Sequence, residues 1–272
     1  MRILSFSEYI DEGKKNPQRT VFSIGVFDGV HFGHKAILED LRRLKKESGA
    51  ECSAVFTFST NPKGRKGDLD TLRLRAENIA EYDVDVLAVI DFSTDFSMIT
   101  AVGFVDMLSS SMIAVGAAVG DDFRFGNPHE EGSGRDLGLL LRRKGFDCTI
   151  DIVDSVLTED GEKISSTYMR QMINKGELGC IPGLSGQFYR VDLVPLPYRS
   201  CSGELIISRA LIHQLLPPLG TYDAALLFRD GKRTVCTALL SEDFLRIPLP
   251  SSGMDNGKEE LLLDSLYLEK GR

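Results

Sequence analysis

The stretch "SIGVFDGVHFGHKAIL", Ser23 to Leu38, decides how this chain is read. On its left, "TVFSIGVF" is β-branched and aromatic and predicts a buried strand. On its right, "HKAILEDLRRLKKES" places Ile37, Leu38, Leu41 and Leu44 on one face and ends in basic residues, which predicts an amphipathic helix. Two of the chain's four histidines, His31 and His34, stand at this handover, among Gly25, Gly29, Gly33 and an Asp28-Gly29 turn. In an open parallel sheet, ligands bind beyond the carboxyl ends of the strands. A helix N-terminus there offers free N–H groups and a positive dipole end to an anion. Glycines let the backbone approach a phosphate, and two imidazoles can aim donors at the same anion. That combination suits phosphoryl chemistry, whose transition state spreads negative charge over oxygens. The plainer reading is a histidine cap or a surface residue. A zinc site would need a third ligand, and His129 and His213 fall in a loop and in a second domain.

Outward from this stretch, strand and helix patterns alternate. "CSAVFTF", "DVLAVIDF", "MIAVGAAVG" and "FDCTIDIVDSV" read as strands. "TLRLRAENIAEY", "TAVGFVDMLSSS" opened by Thr100, "GRDLGLLLRRKG" stopped by Gly145, and "SSTYMRQMINKG" closed by Gly176 read as helices. Repeated β-α units predict a parallel sheet with helices on both faces. The glycines and proline of "GELGCIPGLSG" predict a linker. Beyond it, "QFYRVDLVPL", "GELIIS", "GTYDAALLF" and "KRTVCTALL" predict a small antiparallel barrel or sandwich. There "ALIHQLL" reads as the one clear helix, with Leu211, Ile212, Leu215 and Leu216 on its packed face. The tail "GKEELLLDSLYLEKGR" fits a strand or a helix.

The chain has 272 residues, 42% of them hydrophobic, enough for one large or two modest cores. Its formal net charge of −8 disfavours nonspecific binding to nucleic acid or to an anionic membrane. No run of eighteen apolar residues predicts a transmembrane helix, and "MRILSFSEYIDEGKK" has no apolar core of a signal peptide. The five cysteines form no C-x-x-C pair, so a reducing, cytoplasmic setting is expected.

"GVFDGVHFGH" resembles the adenylyltransferase signature of the bacterial bifunctional riboflavin kinase/FAD synthetases, members of the nucleotidyltransferase superfamily. "VGDDFRFG", Val119 to Gly126, is similar to that family's Gly-x-Asp-Phe-x-Phe-Gly loop. "ISSTYMRQMINKGEL", Ile164 to Leu178, is similar to its Ile-Ser-Ser-Thr-x-x-Arg helix start, and "TFSTNP", Thr57 to Pro62, partly matches a Thr-Phe-x-Pro-His-Pro segment. The resemblance implies a Rossmann-like nucleotidyltransferase domain over residues 1–183, followed by a kinase-like β domain over 187–272. It implies transfer of AMP from ATP to FMN, giving FAD and pyrophosphate, with Mg2+ screening the polyphosphate. His31 and His34 would stabilise charge on the phosphates, and Lys163, Ser166 and Thr167 would hold the departing pyrophosphate end. Substrate contacts are implied for Gly25, Phe27, Asp28, Gly29, Phe58, Asn61, Pro62, Asp122, Phe123, Phe125, Ser165 and Arg170.

Several of these residues also read on their own terms. Ser165, Ser166 or Thr167 suits the cap and first turn of a helix whose hydroxyls and N–H groups can grip phosphate. Arg170 suits bidentate phosphate contact, and Lys163 is a mobile point charge. Asp122 can accept from a ribose hydroxyl or an adenine amine. Phe123 and Phe125 suit packing of the loop better than stacking on a base. Asp28 suits either orienting the turn or a metal-bound phosphate, and no protein metal-ligand set is expected.

The sequence departs from the family in two places. Asn61 stands where the family has His, and Thr60 where it has Pro; Asn61 can donate a hydrogen bond but carries no charge. "PPLGTYDAALL", Pro217 to Leu227, resembles the kinase's Pro-Pro-x-Gly-Val-Tyr strand, yet the Pro-Thr-Ala-Asn motif expected upstream is replaced by "SGELIISRALIHQLL". Glu259 and Glu260 do not align with the kinase's catalytic base. The expectation is therefore an FAD synthetase without riboflavin kinase activity. A bifunctional enzyme, a nucleotidyltransferase for another phosphorylated small molecule, and an inactive flavin- or nucleotide-binding relic are the competing readings.

Overall fold

The structure is a computed structural model that describes residues 1–60, 67–201, 203–248 and 263–271. Asn61, Pro62, Glu259 and Glu260 lie outside the described residues. The chain divides into two compact units, one of residues 1–65 with 75–164 and one of residues 66–74 with 165–272. The expected boundary at 183/187 and this division differ: the helix of the "ISST" motif falls in the second unit, together with a short segment from far upstream.

The first unit is built on a six-stranded sheet of β1 (Arg2–Ser5), β2 (Arg19–Ile24), β3 (Cys52–Phe58), β4 (Val86–Ile90), β5 (Ile113–Gly120) and β8 (Thr149–Val153), while β6 (Arg124–Phe125) and β7 (Gly132–Ser133) pair separately. The order of the six-stranded sheet is β1-β4-β3-β2-β5-β8, and every pairing in it is parallel. Alternate residues of the strands feed two cores. Phe22, Ala54 and Phe56 pack with Phe6, Tyr9, Phe104 and Leu108 on one face. Val21, Val55 and Leu87 pack with Leu38, Leu41, Leu44 and Ile79 on the other. The helices supplying those side chains are α1 (Phe6–Lys15) and α5 (Ala101–Ser109) on the first face, and α2 (Phe32–Ser48) and α3 (Leu72–Ala80) on the second; α4 (Thr94–Ser97) and α6 (Gly134–Arg143) also belong to this unit. Leu38, Leu41 and Leu44 of α2 are buried as the sequence spacing predicts, each worth roughly 1.5–3 kcal/mol relative to exposure. Thr100 caps α5, its hydroxyl accepting the Gly103 N–H at 3.0 Å. No element is predicted from the sequence for β1 and α1; a Ser5/Glu8 capping box opens α1.

Strand β3 lies on one side of β2 and β5 on the other. The chain thus reverses its direction of travel across the sheet at β2, and the crevice beyond the carboxyl end of β2 is a topological switch point. Residues 25–31 occupy it. The parallel sheet, with helices on both faces, is the α/β architecture expected.

The second unit contains a curled, seven-stranded antiparallel sheet. Its strands are β9 (Tyr189–Asp192), β10 (Tyr198–Cys201), β11 (Glu204–Ser208), β12 (Gly220–Phe228), β13 (Arg233–Leu240), β14 (Phe244–Pro248) and β15 (Leu263–Gly271). They run in the order β10-β11-β14-β13-β12-β15-β9. The undecided tail is therefore a strand, paired with both β12 and β9. Helix α7 (Ser166–Lys175) begins at Ser165, whose hydroxyl accepts the Tyr168 N–H at 3.2 Å, and ends at a left-handed Gly176. Among the described residues no helix is long and apolar enough to cross a membrane.

Two expectations are corrected here. "GELGCIPGLSG" is a folded segment: a 3-10 turn at Leu178–Cys180 and a short helix, α8 (Ile181–Ser185). Pro182 suits a helix's first turn, and Leu178, Ile181 and Leu184 are buried. "ALIHQLL" is not a helix but a single 3-10 turn at Arg209–Leu211 followed by extended chain. Pro217 disfavours helical backbone at Leu216. Gln214 is buried instead: its Oε1 accepts the Asp192 N–H at 2.7 Å, and its Nε2 donates to the Leu69 and Arg190 carbonyls at 2.8 and 3.0 Å. Through these bonds and the Asp68–Gln214 bridge, the segment 67–74 is built into the second unit. Arg73 and Thr71 complete the tie, both bonding the buried Asp192 carboxylate, at 2.7 and 2.5 Å.

Candidate active site

The loop after β2 is tightly specified. Gly25 N–H still bonds the Phe56 carbonyl at 3.0 Å. Phe27 then takes a left-handed conformation, φ 52°, which a bulky residue adopts only when its surroundings enforce it. The enforcement is burial: the Phe27 ring lies in the α2-side core, 5.1 Å from the His34 ring. Asp28 is buried within the same loop, and Gly29 follows at φ 77°.

His31 is the cap of α2. Its extended backbone opens the helix and its Nδ1 accepts the His34 N–H at 3.3 Å. The plain role and the chemical one thus fall on one side chain. Because Nδ1 accepts, a neutral His31 carries its proton on Nε2, leaving that N–H for another acceptor. The two imidazoles stack 3.8 Å apart, with 19° between their planes. A Cβ on Gly33 would stand 3.1 Å from His31 Nδ1 and 3.4 Å from the Ile164 carbonyl, so a larger residue there would crowd the ring.

Burial sets the charge state. It pushes His31 down to about 4, with Asp122 opposing the shift and Lys163 adding to it. Burial also carries His34 well below its ordinary value, helped by His31 and then by Arg75. Both rings are neutral near pH 7 and can act as hydrogen-bond donors without carrying charge. A further positive charge acting on His31 is that of Lys163. Its Nζ bonds Asp122 at 2.8 Å and Asp121 at 3.2 Å, while Ser155 Oγ donates to Asp121. Burial works against the lysine's charge, but the two carboxylates outweigh it and its pKa is raised.

The first unit brings together His31, His34, Asp122 and Lys163. Asp122 is exposed and engaged with Lys163. Phe123 and Phe125 stack on each other at 5.4 Å, and Phe125 reaches Phe104, so these rings pack the loop. Phe58 belongs to an aromatic cluster with Phe92 and Phe96. Ser165, Ser166, Thr167 and Arg170 are placed in the second unit, where Ser165 is the cap of α7. Arg170 is buried, and its Nη1 donates to the Gly67 carbonyl. That bond commits part of its guanidinium to holding the segment at 67, a posture different from the open bidentate one the sequence suggested. Among the described residues no group of three or more His, Cys, Asp or Glu side chains is placed to hold a metal ion.

One residue near the histidines escaped the sequence reading. Arg75 is 1% exposed, and its Nη1 donates to Thr57 Oγ1 at 3.2 Å and to the Phe58 carbonyl at 2.8 Å. Thr57 in turn donates to the Val26 carbonyl at 2.8 Å, tying β3 to the histidine loop. The signal was present: Leu72, Arg75, Ala76 and Ile79 share helical spacing, which puts an arginine in an apolar stripe.

The protein-family model for FAD synthetase matches residues 13–168. The chain is 32% identical over 166 residues to the bifunctional riboflavin kinase/FMN adenylyltransferase of Listeria monocytogenes, covering 58% of this chain and 51% of that protein. It is 32% identical over 181 residues to the Escherichia coli K12 protein of the same name, covering 63% and 56%. The match thus spans about half the length of these relatives. A solved structure titled a macrolide-efflux protein from Streptococcus pneumoniae covers 99% of this chain and 98% of its own, with a TM-score of 0.77 at 20% identity, and shows the fold alone. With more than half of its residues inside that family model, the chain belongs to the FAD synthetase family.

Proposed function

We propose that this protein is an FMN adenylyltransferase, which joins AMP from ATP to FMN and releases FAD and pyrophosphate. The observation that carries the reading is the stacked, neutral His31/His34 pair on a strained loop at the sheet's switch point. In this reading an FMN phosphate oxygen attacks the α-phosphorus of ATP, the bond to the β-phosphate oxygen breaks, and no covalent enzyme intermediate forms. His31 offers its Nε2–H, and His34 its imidazole, to oxygens whose charge grows in the transition state. Fixed donors cost no reorganisation at that moment. Lys163 exchanges its carboxylate partners for phosphate oxygens, and Ser166 and Thr167 offer hydroxyls to the nucleotide's phosphates. Gly25, Gly29 and Ser165 contribute backbone positions, and Asp28 orients the turn or meets the metal-bound phosphates. Mg2+ enters with ATP as part of the substrate. There it would be held by phosphate oxygens and water, with few or no protein ligands.

The reading takes residues 1–183 as the adenylyltransferase part and 187–272 as a kinase-like β domain without riboflavin kinase activity. The loss of a Pro-Thr-Ala-Asn motif before β12 supports that second part. A cytoplasmic setting and small-molecule partners, rather than nucleic acid or membrane, complete it. Incubation of the purified chain with FMN, ATP and Mg2+ tests the reading. FAD and pyrophosphate should appear in equal amounts, and a chain that binds ATP yet forms no FAD would overturn it.

A further inference from the structure

We infer that Arg75 is a positioning residue of the histidine site, supplying the buried positive charge that draws the substrate's phosphates onto the loop after β2. The inference rests on the adenylyltransferase reading and goes beyond it by assigning a residue outside the motifs.

The argument is one of charge balance. Arginine's guanidinium stays charged in proteins, and a buried charge costs several kcal/mol unless it is paired. Arg75 heads the group of large side chains sealed almost completely from solvent. Its hydrogen-bond partners are neutral, the Thr57 hydroxyl and the Phe58 carbonyl, and its buried Nε has none among the described residues. Among the described residues, no carboxylate pairs with it. By contrast Arg73, two residues earlier, is paired with both Asp192 and Asp264. An apolar residue would fit the stripe of α3 at lower cost, so a charge with no carboxylate partner among the described residues calls for an anion that arrives later.

The position of the charge says which anion. Thr57 and Phe58 end β3, Thr57 holds Val26 of the loop after β2, and His34 feels the Arg75 charge. His34 Nδ1 is itself buried without a hydrogen-bond partner. The cation therefore lies at the carboxyl end of β3, bonded to the Thr57 hydroxyl that holds the histidine loop. In that low-dielectric setting its field reaches a bound polyphosphate without direct contact. A polyphosphate seated there would supply the missing negative charge.

Two variants separate charge from scaffolding. Arg75→Lys keeps the charge and loses the two-acceptor geometry; Arg75→Gln keeps a hydrogen-bond donor and loses the charge. Binding of inorganic pyrophosphate and of ATP would be measured by calorimetry, with thermal unfolding as the fold control. Arg75→Gln should weaken pyrophosphate at least tenfold, while Arg75→Lys stays within about threefold of wild type. Equal losses in both variants, or none in Arg75→Gln, would overturn the inference. If Arg75→Gln does not fold, Arg75→Lys decides alone: retained affinity supports it, and a tenfold loss overturns it. Failure of the parent reading looks different, because wild type itself would then form no FAD from FMN and ATP, whatever its affinity for pyrophosphate.

Discussion

His31 and His34 are joined twice. The Nδ1 of His31 caps the backbone N–H of His34 at 3.3 Å, and the two rings stack at 3.8 Å. A substitution at position 31 therefore removes a helix cap and a candidate donor together, and the two effects must be separated.

Asparagine separates them, since it is among the best helix caps. His31→Ala is expected to lose roughly 0.5–2 kcal/mol of stability and about 10²–10³-fold in FAD formation, the scale of one lost transition-state donor. His31→Asn should recover most of the stability and little of the turnover. Parallel denaturation and turnover assays check this; an asparagine variant with wild-type turnover would reduce His31 to a cap.

The buried imidazoles also set an acid limit. His31 titrates at about 4 when folded against 6.5 when exposed. Between those values the unfolded chain binds more protons, so stability rises with pH across the window. The contribution is fully present above pH 6.5 and is lost as pH falls through 4; His34 acts in the same direction. The shift corresponds to something on the order of 3 kcal/mol. Urea unfolding at pH 7 and pH 5 should show a larger loss for wild type than for His31→Asn, and identical losses would refute the burial argument.

At the start of α7, Ser165 is the cap and Ser166 and Thr167 form the first turn. Replacing Ser166 and Thr167 with alanine should leave the cap intact and weaken ATP more than FMN. Titrations showing the reverse order would exchange the two assigned substrates.

For the second unit, the expectation is a missing activity. Riboflavin has no phosphate, and converting it to FMN needs anchors for Mg2+ and the γ-phosphate. The chain upstream of β12 offers Gln214, buried and fully used in backbone bonds, where such an anchor would be sought. Riboflavin incubated with excess ATP should stay unphosphorylated, and steady production of FMN would show ligands elsewhere in the sheet.

The parallel sheet and its cores were legible because Val21, Phe22, Val55 and Phe56 alternate between two buried faces and Leu38, Leu41 and Leu44 keep helical spacing. The histidine loop was legible because glycines and an Asp-Gly turn break that pattern where a ligand would sit. What escaped was set by distant partners. Residues 211–216 have helical periodicity, but Gln214 satisfies the backbone of Asp192 and Leu69, and Pro217 blocks the helix. Arg75 shares the helical spacing of Leu72, Ala76 and Ile79, but the neutral partners around it show only in the fold.

The tie between residues 67–74 and the β9–β15 sheet bears on any attempt to dissect the chain. The polypeptide passes from one unit to the other at 65/66, returns at 74/75 and passes again at 164/165. No single cut separates the units. A fragment stopping at 164 would keep Arg73 and Thr71 and lose Asp192. A fragment starting at 165 would keep the Asp192 carboxylate, 3% exposed in the whole chain, and lose the guanidinium and hydroxyl that balance it. Half of a broken buried ion pair costs roughly 3–5 kcal/mol, so the carboxy-terminal piece should be recovered folded only when residues 66–74 are supplied with it, as a second chain or by circular rearrangement.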